Sequence, residues 1–204
     1  MKKTLILSIF LASIIISAVP RQASCFQLTK ELKSEIDDKQ WLVKVHPNDP
    51  QYHFDLAITY AYSNRIEDGL AELKKVKELD ESYAPKAMAY YSKKTGLFPD
   101  DWKLRFRYAF ALYFNDEKKE AIAEFQKIIQ QDPKNVFSYG YIAVIYGEMG
   151  NVDDAIEYAQ KALDIDSNIA AIHLLLATAY YKKGRPGPGF QETFEALRLR
   201  ALGY

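Results

Sequence analysis

Cysteine and histidine are scarce in this 204-residue chain, which contains one cysteine and three histidines. The single cysteine, Cys25, precedes the part of the chain that reads as folded, so the fold contains no disulfide and depends on packing alone. His46, His53 and His173 stand far apart in sequence and form no recognisable ligand pattern with acidic residues or cysteine. The sequence therefore predicts no metal and no cofactor.

Catalytic motifs and an excess of basic charge are also lacking. The chain has no Gly-x-Ser-x-Gly, no phosphate-cradling glycine loop and no His-Glu-x-x-His. It carries 27 basic and 27 acidic residues; Lys2, Lys3 and Arg21 fall in residues 1–25, which hold no acid, so the remainder has 24 against 27, a net charge of −3. Recognition of nucleic acid needs a basic face. We expect neither an enzyme nor a nucleic-acid-binding protein.

The first 25 residues read as a secretory signal. A cationic start is followed by an uncharged, largely apolar run of 15 residues (5–19) and then Pro20, which is short for a membrane span. Ala23 and Ser24 provide small residues for a cleavage site, so the mature chain is expected to begin at Phe26. We therefore expect export to the periplasm, the cell envelope or the exterior. Contact with a membrane would occur only through an uncleaved signal or a lipid on Cys25, although Gln22 stands where a lipobox has leucine.

The strongest pattern in the chain is a self-repeat every 34 residues. A period of this length is typical of helical solenoids, in which each unit buries its apolar face against its neighbours. Apolar residues three and four apart, interrupted by frequent helix breakers, support helices after residue 27. The residues that recur at this step are Ala109, Ala143 and Ala177; Ala121, Ala155 and Gly189; Tyr146 and Tyr180; and Gly150 and Gly184.

These units resemble tetratricopeptide repeats (TPRs), a family of helix-turn-helix modules. The unit 136–169 fits the family pattern best, while Leu112 and Gly69 depart from it where tyrosine and alanine are usual. The resemblance implies an all-α fold, a right-handed superhelical solenoid of antiparallel helix pairs. The residues of the best unit that carry the resemblance are Tyr139, Ile142, Ala143, Tyr146, Gly150, Ala155 and Ala162.

The phase of the repeats divides the chain unevenly. After the signal (1–25) come a truncated leading repeat (27–49), a first full unit (50–83) and an inserted half repeat of 18 residues (84–101). Three further units follow at 102–135, 136–169 and 170–204, the last with a C-terminal capping helix. The half repeat either bends the solenoid or divides a front module from a regular array; the alternatives are a decayed repeat that still packs and a hinge.

The resemblance also implies a binding surface, because first helices line the concave groove of TPR arrays. This groove is rich in aromatic residues and suits an apolar or amphipathic protein segment. It does not suit a carboxylate clamp, because Phe54 and Ile58 stand where a clamp has lysine and asparagine. The alternatives are mutual burial of these side chains and a groove filled by the chain's own front helix. The predicted groove residues are Phe54, Ile58, Tyr62, Phe106, Arg107, Phe110, Tyr113, Phe137, Tyr141, Val144, Leu174, Thr178 and Tyr181.

The last helix places Phe190, Phe194, Leu197 and Ala201 on one face, and we expect it to cap the array with a solvated outer surface. A dimer contact through its apolar edge is the alternative. Taken together, the sequence indicates an exported, non-enzymatic scaffold that binds a protein segment and helps to assemble a cell-envelope complex. Two other functions stay open: a self-associating structural protein, and an accessory module for saccharide or lipid. The oligomeric state is not determined by the sequence.

Overall fold

The fold is all-α, as the 34-residue period predicts. A computed structural model describes residues 28–202, and these residues form ten helices and no strand. The expected signal segment and its cleavage site lie outside the described residues. The helices are α1 (Lys30–Val45), α2 (Pro50–Ala61), α3 (Ile66–Leu79), α4 (Tyr83–Leu97), α5 (Trp102–Phe114), α6 (Lys118–Gln131), α7 (Val136–Glu148), α8 (Val152–Ile165), α9 (Ala170–Lys182) and α10 (Pro186–Ala201).

A residue with positive φ closes the turn inside every full unit. Asn64 has φ 58°, Asp116 has 64°, Gly150 has 82° and Gly184 has 70°. These four residues occupy the same position in their units, between the first helix and the second. The left-handed region is open to glycine and is tolerated by asparagine and aspartate. The turn residues therefore set the same helix-turn-helix geometry in all four units.

Side-chain caps fix where several helices begin. Thr29 accepts a hydrogen bond from the Leu32 amide before α1, and Asp49 accepts one from the Gln51 amide before α2. Asp101 accepts from the amides of Lys103 and Leu104 and so begins α5. Such caps satisfy amides that have no partner inside the helix. The inserted half repeat therefore ends at the N-cap of α5.

Helix α4 interrupts the regular alternation of first and second helices. Helix α3 packs on its partner α2, but it is α4 that packs on α5, in the way that α6 packs on α7 and α8 packs on α9. The half repeat therefore corresponds to the second helix of a repeat whose first helix is missing. Helix α2 also contacts α5 directly. The first full unit therefore lies beside the three regular units that α5 to α10 form.

Small residues allow the helices of each unit to approach closely. Ala109, Ala121, Ala143 and Ala155 have no exposed surface. A Cβ built on Gly69 would lie 3.0 Å from the Ala57 carbonyl oxygen. Larger side chains at these positions would push apart helices that are packed at van der Waals distance.

Three of the four full units contain the same polar bridge. In the first, His53 Nδ1 lies 2.6 Å from Glu72 Oε2 on α3, and its Nε2 lies 3.0 Å from the Pro47 carbonyl oxygen. In the last, His173 has the same two distances to Glu192 on α10 and to the Ser167 carbonyl. Each bridge ties a first helix to its second helix and to the turn before it.

The second full unit uses arginine for this bridge. Arg105 NH1 donates to Glu124 Oε2 at 2.6 Å, and NH2 donates to the Pro99 carbonyl at 2.7 Å. In the third unit, Tyr139 packs near Tyr158 instead, with ring centroids 6.3 Å apart. His53 and His173, which the sequence places at one repeat position, are therefore structural bridges.

The two ends of the solenoid approach each other. Arg200 on α10 lies 3.2 Å from Glu67 on α3, and a hollow beside this pair is bordered by Asn64 and by Ala170 at the start of α9. Nearer the centre, the Tyr141 hydroxyl donates to the Ala61 carbonyl at 3.3 Å. The first unit is thus folded back against the later units, and this arrangement creates the groove described next.

Candidate functional site

An apolar groove lies between the first unit and the array. Helices α2 and α3 form one wall, and α5 and α7 form the other. The enclosed volume is about 280 Å³, close to the lower end of the size range of ligand pockets. We call this the central groove. Its lining residues are Ala57, Ile58, Ala61, Ile66, Gly69, Leu70, Leu73, Phe110, Tyr113, Phe114, Phe125, Tyr141, Val144 and Ile145.

Aromatic rings form the floor of the central groove, and two exposed side chains form its rim. The ring centroids of Phe110 and Tyr141 are 4.6 Å apart in an edge-to-face arrangement, and Phe125 stacks on Tyr141 at 5.9 Å. At the rim, Leu70 is 61% exposed and Phe114 is 39% exposed. The floor is therefore an aromatic, apolar surface, and the rim offers apolar side chains that a bound segment could cover.

The central groove continues toward the C-terminal units. Val144 borders both the central groove and a second hollow of about 140 Å³ between α7 and α9, which Leu175, Thr178 and Lys182 also line. The Tyr113 hydroxyl donates to Glu148 at 2.5 Å where the two hollows meet. Burial, together with the bond to Glu148, raises the pKa of the Tyr113 hydroxyl above its ordinary value. This phenol therefore stays protonated and donates to the carboxylate.

Arg107 is buried between α5 and the helices α1 and α2, although the sequence predicted that it lines the groove. Its Nε lies 3.0 Å from Asp55 Oδ1, and its NH2 lies 3.3 Å from Glu35 Oε1. NH2 also lies 2.9 Å from the Thr59 hydroxyl and 3.0 Å from the Tyr62 hydroxyl. We call these five residues the Arg107 cluster; it joins α5 to α1 and α2.

Interactions within the Arg107 cluster favour the charged forms of Glu35 and Arg107. Burial alone would favour a neutral Glu35. Hydrogen bonds from Lys103 and Tyr62, with the charges of Lys103 and Arg107, outweigh burial and hold the pKa of this carboxyl below its ordinary value. Burial likewise opposes the charge on Arg107, but Tyr62, Asp55, Tyr91 and Glu35 raise its pKa above the usual arginine value. The cluster is therefore an ion pair network that ties helices together.

The structure brings six of the thirteen predicted groove residues to the groove and its continuation. These six residues come from four different first helices, as the resemblance implies. Whether they bind a partner stays a prediction. Ile58, Phe110, Tyr113, Tyr141 and Val144 line the central groove, and Thr178 lines its continuation.

Five of the other predicted residues lie in the core. Phe54 packs against Tyr83 and Tyr91 of α4, with centroids 5.7 and 5.6 Å apart. The five core residues are Phe54, Tyr62, Phe106, Arg107 and Phe137, none of them more than 8% exposed. Helices α2 and α4 both pack on α5 and cover the first four of these residues, which a regular array would expose.

The last two predicted residues lie on α9 away from the groove floor. Leu174 is half-buried. Tyr181 is 47% exposed, and its ring packs on α10, because a Cβ added to Gly189 would lie 2.8 Å from the Tyr181 ring. Tyr181 therefore packs the last helix pair together and does not face the central groove.

Sequence reasoning missed the wall that a second helix contributes. Ile66, Leu70 and Leu73 come from α3, whereas the resemblance directs attention to first helices alone. The sequence did contain a signal for this wall: Leu70 occupies the repeat position of Ile122 and Ile156, at which an apolar side chain packs on a neighbouring helix. Those two residues are buried by the next unit, while α3 has no first helix after it.

Residues 28–202 contain neither a metal-binding cluster nor a helix that could span a membrane. No group of three or more histidine, cysteine or acidic side chains could hold a metal ion in this part of the chain. None of its helices has the length and apolar character required to cross a lipid bilayer. The site that the described residues offer is therefore an apolar groove with a few polar groups.

Family models agree with the geometry of the C-terminal units. Tetratricopeptide repeat models match residues 104–135, 124–157 and 142–201. Helices α5 to α10 are therefore tetratricopeptide repeats, and the fold is an all-α solenoid of that class. Such repeats act as protein-interaction scaffolds.

Solved structures of MamA proteins share this fold. A double mutant of MamA from RS-1 is 15% identical, with 87% of this chain and 98% of that chain covered and a TM-score of 0.57. MamA from MSR-1 is 17% identical over 76% of this chain and 98% of that chain, with a TM-score of 0.54. MamA from AMB-1 is 18% identical over 74% of this chain and 92% of that chain, with a TM-score of 0.51. No curated protein sequence matches the chain significantly.

Proposed function

We propose that this chain is an exported, non-enzymatic scaffold that binds a segment of another protein in the central groove. The observation that carries the proposal is a continuous apolar groove with an exposed rim, bordered by Leu70 on one side and Phe114 on the other. Exposed apolar side chains around a concave site are typical of protein-binding surfaces. The tetratricopeptide repeats of residues 104–201 support the same function.

The chemistry of the groove favours an apolar or amphipathic segment. Its lining contains no charged side chain, and Glu148 and Lys182 first appear in the continuation beyond Val144. A segment with two or three apolar residues on one side would cover the aromatic floor, while its polar side would remain in water. Large apolar side chains of the partner would supply most of the affinity.

Export and a role in assembling a cell-envelope complex belong to the same proposal. Their support is the cationic and apolar pattern of residues 1–25. Fractionation of cells that produce the full chain would test the location; a cytoplasmic protein with an intact N-terminus would contradict it.

Site-specific photocross-linking tests the groove. A photoreactive amino acid at Leu70, on the rim, should cross-link one defined protein in native envelope extract. The matched control is the same group at Leu97 on α4, which is 62% exposed and lies outside the groove lining. Leu70→Lys and Phe114→Ser in a helical, folded protein should abolish capture. Equal cross-linking from both positions, or capture that survives the rim substitutions, would contradict the proposal.

A further inference from the structure

Helix α4 presents apolar and basic side chains together on one outer face. Tyr90 is 43% exposed, Leu97 62% and Phe98 55%. Lys93 and Lys94 stand between them at spacings of three and four residues, so the side chains share one side of the helix. Lys94 Nζ lies 5.5 Å from the centroid of the Tyr90 ring. We call these five residues the α4 face; they border neither the central groove nor the hollow that continues it.

The lysines of the α4 face have no acidic partner, in contrast to their counterparts in the regular units. Lys93 stands at the repeat position of Lys127 and Lys161. Both of those lysines pair at 2.6 Å with a glutamate of their own helix, Glu124 and Glu157 respectively. Among residues 28–202, no carboxylate lies within ion-pair distance of either lysine of the α4 face. The positive charge of this face is therefore available to a partner.

Aromatic side chains replace acidic ones on α4. Tyr90 stands at the repeat position of Glu124, and Phe98 stands at that of Asp132, which is the C-cap of α6. As a result, α4 contains lysines but no acid, whereas the second helices α3, α6, α8 and α10 each contain residues of both signs. The same replacements that remove negative charge from α4 also add exposed apolar area.

The acids that flank α4 in sequence leave the charge of the face in place. Asp80 pairs with Lys86 at 2.7 Å, and Asp101 accepts the amides that begin α5. Asp100 is exposed two residues after Phe98. It lies at the edge of the face and would oppose an anionic partner there.

Helix α10 also exposes an apolar row, but without unpaired charge. Phe190 is 67% exposed, Phe194 62% and Leu197 59%, so the solvated polar outer face expected of a terminal cap is wrong for this helix. Beside the row, Arg198 already pairs with Glu195 of the same helix at 2.5 Å. The row of α10 is therefore a comparison surface that is apolar and lacks the free cations of α4.

We propose that the α4 face docks on the surface of an anionic lipid bilayer. Its two unpaired lysines attract anionic headgroups, and Tyr90 suits the headgroup level. Leu97 and Phe98 enter the boundary between headgroups and acyl chains, as apolar side chains of interfacial helices do. An acidic protein would engage the lysines but would not require the exposed apolar pair. The contact is peripheral, and it is separate from any attachment through residues 1–25.

A fluorescent probe on the α4 face of the full chain tests this contact. Leu97→Cys in a Cys25→Ser background carries a fluorophore whose emission shifts to the blue when it leaves water. Vesicles of equal parts phosphatidylglycerol and phosphatidylcholine should shift the emission, and vesicles of phosphatidylcholine alone should not. The matched control is the same probe at Phe194→Cys, which is equally exposed and should not respond. Residues 1–27 are the same in both proteins, so the difference reports on α4.

Charge variants test the role of the lysines. Lys93→Gln with Lys94→Gln should raise the lipid concentration that gives half of the shift by about fivefold for each lysine. Lys74→Gln with Lys77→Gln removes two exposed lysines from α3 and should leave that concentration unchanged. Asp100→Asn should lower it. Circular dichroism should show the same helix content in every variant.

Several results would overturn the lipid contact. Equal shifts from positions 97 and 194, or an equal shift with phosphatidylcholine alone, would contradict it. So would a shift that survives the loss of Lys93 and Lys94. A shift produced by polyglutamate and not by vesicles would indicate an acidic protein partner instead. Photocross-linking from Leu70 should be unaffected by the lysine substitutions on α4, so the central groove and the lipid contact can fail independently.

Discussion

Arg107 and Asp55 form an ion pair between two first helices that belong to different units, with Nε and Oδ1 3.0 Å apart. The arginine side chain is 5% exposed. Asp55 also accepts a hydrogen bond from the Tyr91 hydroxyl of α4, while Glu35 of α1 faces the other side of the guanidinium. One buried cation thus holds four helices together where the repeat pattern is interrupted.

Removing this cation should be strongly destabilising. Arg107→Met removes the buried guanidinium from Asp55 and Glu35, and loss of one member of a buried ion pair costs about 3–5 kcal/mol. Lys39 and Lys103 remain beside the two carboxylates and should reduce this cost. Arg107→Lys retains the charge but loses the planar fork, so it should cost less. Urea unfolding followed by circular dichroism measures both. A Met variant as stable as wild type would show that the cluster does not join the helices.

Stability should depend on Glu35 in acid. The pKa of Glu35 is below its ordinary value of 4.5 in the folded chain. The ionised carboxyl therefore stabilises the fold above the ordinary value, and this contribution is lost as the pH falls through the folded pKa. Glu35→Gln should be less stable than wild type at pH 7, and the difference should shrink at pH values below 4.5. Urea titrations at successive pH values test this; a difference that stays constant would contradict it.

The repeated bridges predict which substitution His53 tolerates. His53→Leu removes both contacts and leaves the Pro47 carbonyl and Glu72 without their polar partner, at a cost of about 1–3 kcal/mol. His53→Arg should retain most of the stability, because Arg105 makes the equivalent two contacts in its own unit. Thermal and urea unfolding compare the two variants. If arginine is as costly as leucine, the bridges are not interchangeable.

The close approach of helices predicts overpacking at Ala143. This residue has no exposed surface, so Ala143→Leu should destabilise the fold by about 1–3 kcal/mol. Ala89→Leu is the control, since Ala89 is exposed on α4 and leucine favours helix nearly as much as alanine. Chemical denaturation measures both changes. Similar values for the two variants would mean that the interior accommodates the added side chain.

The helices and turns were predictable because their determinants are local. Recurring alanines such as Ala143 indicate close helix packing, and the glycines Gly150 and Gly184 indicate a left-handed turn. Neither signal depends on residues elsewhere in the chain. The same reasoning identified the 84–101 segment as a departure from the period. These features recur every 34 residues, so each copy supports the interpretation of the others.

The groove was predictable only in part, because its shape depends on where the first unit lies. Sequence spacing places Phe106 and Arg107 on a first helix, but it does not reveal that α4 replaces α3 against α5. That exchange buries both residues and turns α3 toward the groove. The apolar row of α10 was visible in the sequence, but its direction depends on which face of the helix packs on α9.

The contact of Glu67 with Arg200 joins residues 133 positions apart, and it changes how the chain can fold. An open solenoid can nucleate at any unit and extend to its neighbours, because every contact is between adjacent repeats. Here the groove side of the first unit is complete only after α7 is in place, and Glu67 meets Arg200 only after α10 has formed. Contacts that close such long loops slow folding and make it less sequential. During synthesis, α2 and α3 therefore emerge before α5 but reach their final environment only after α7 has been made.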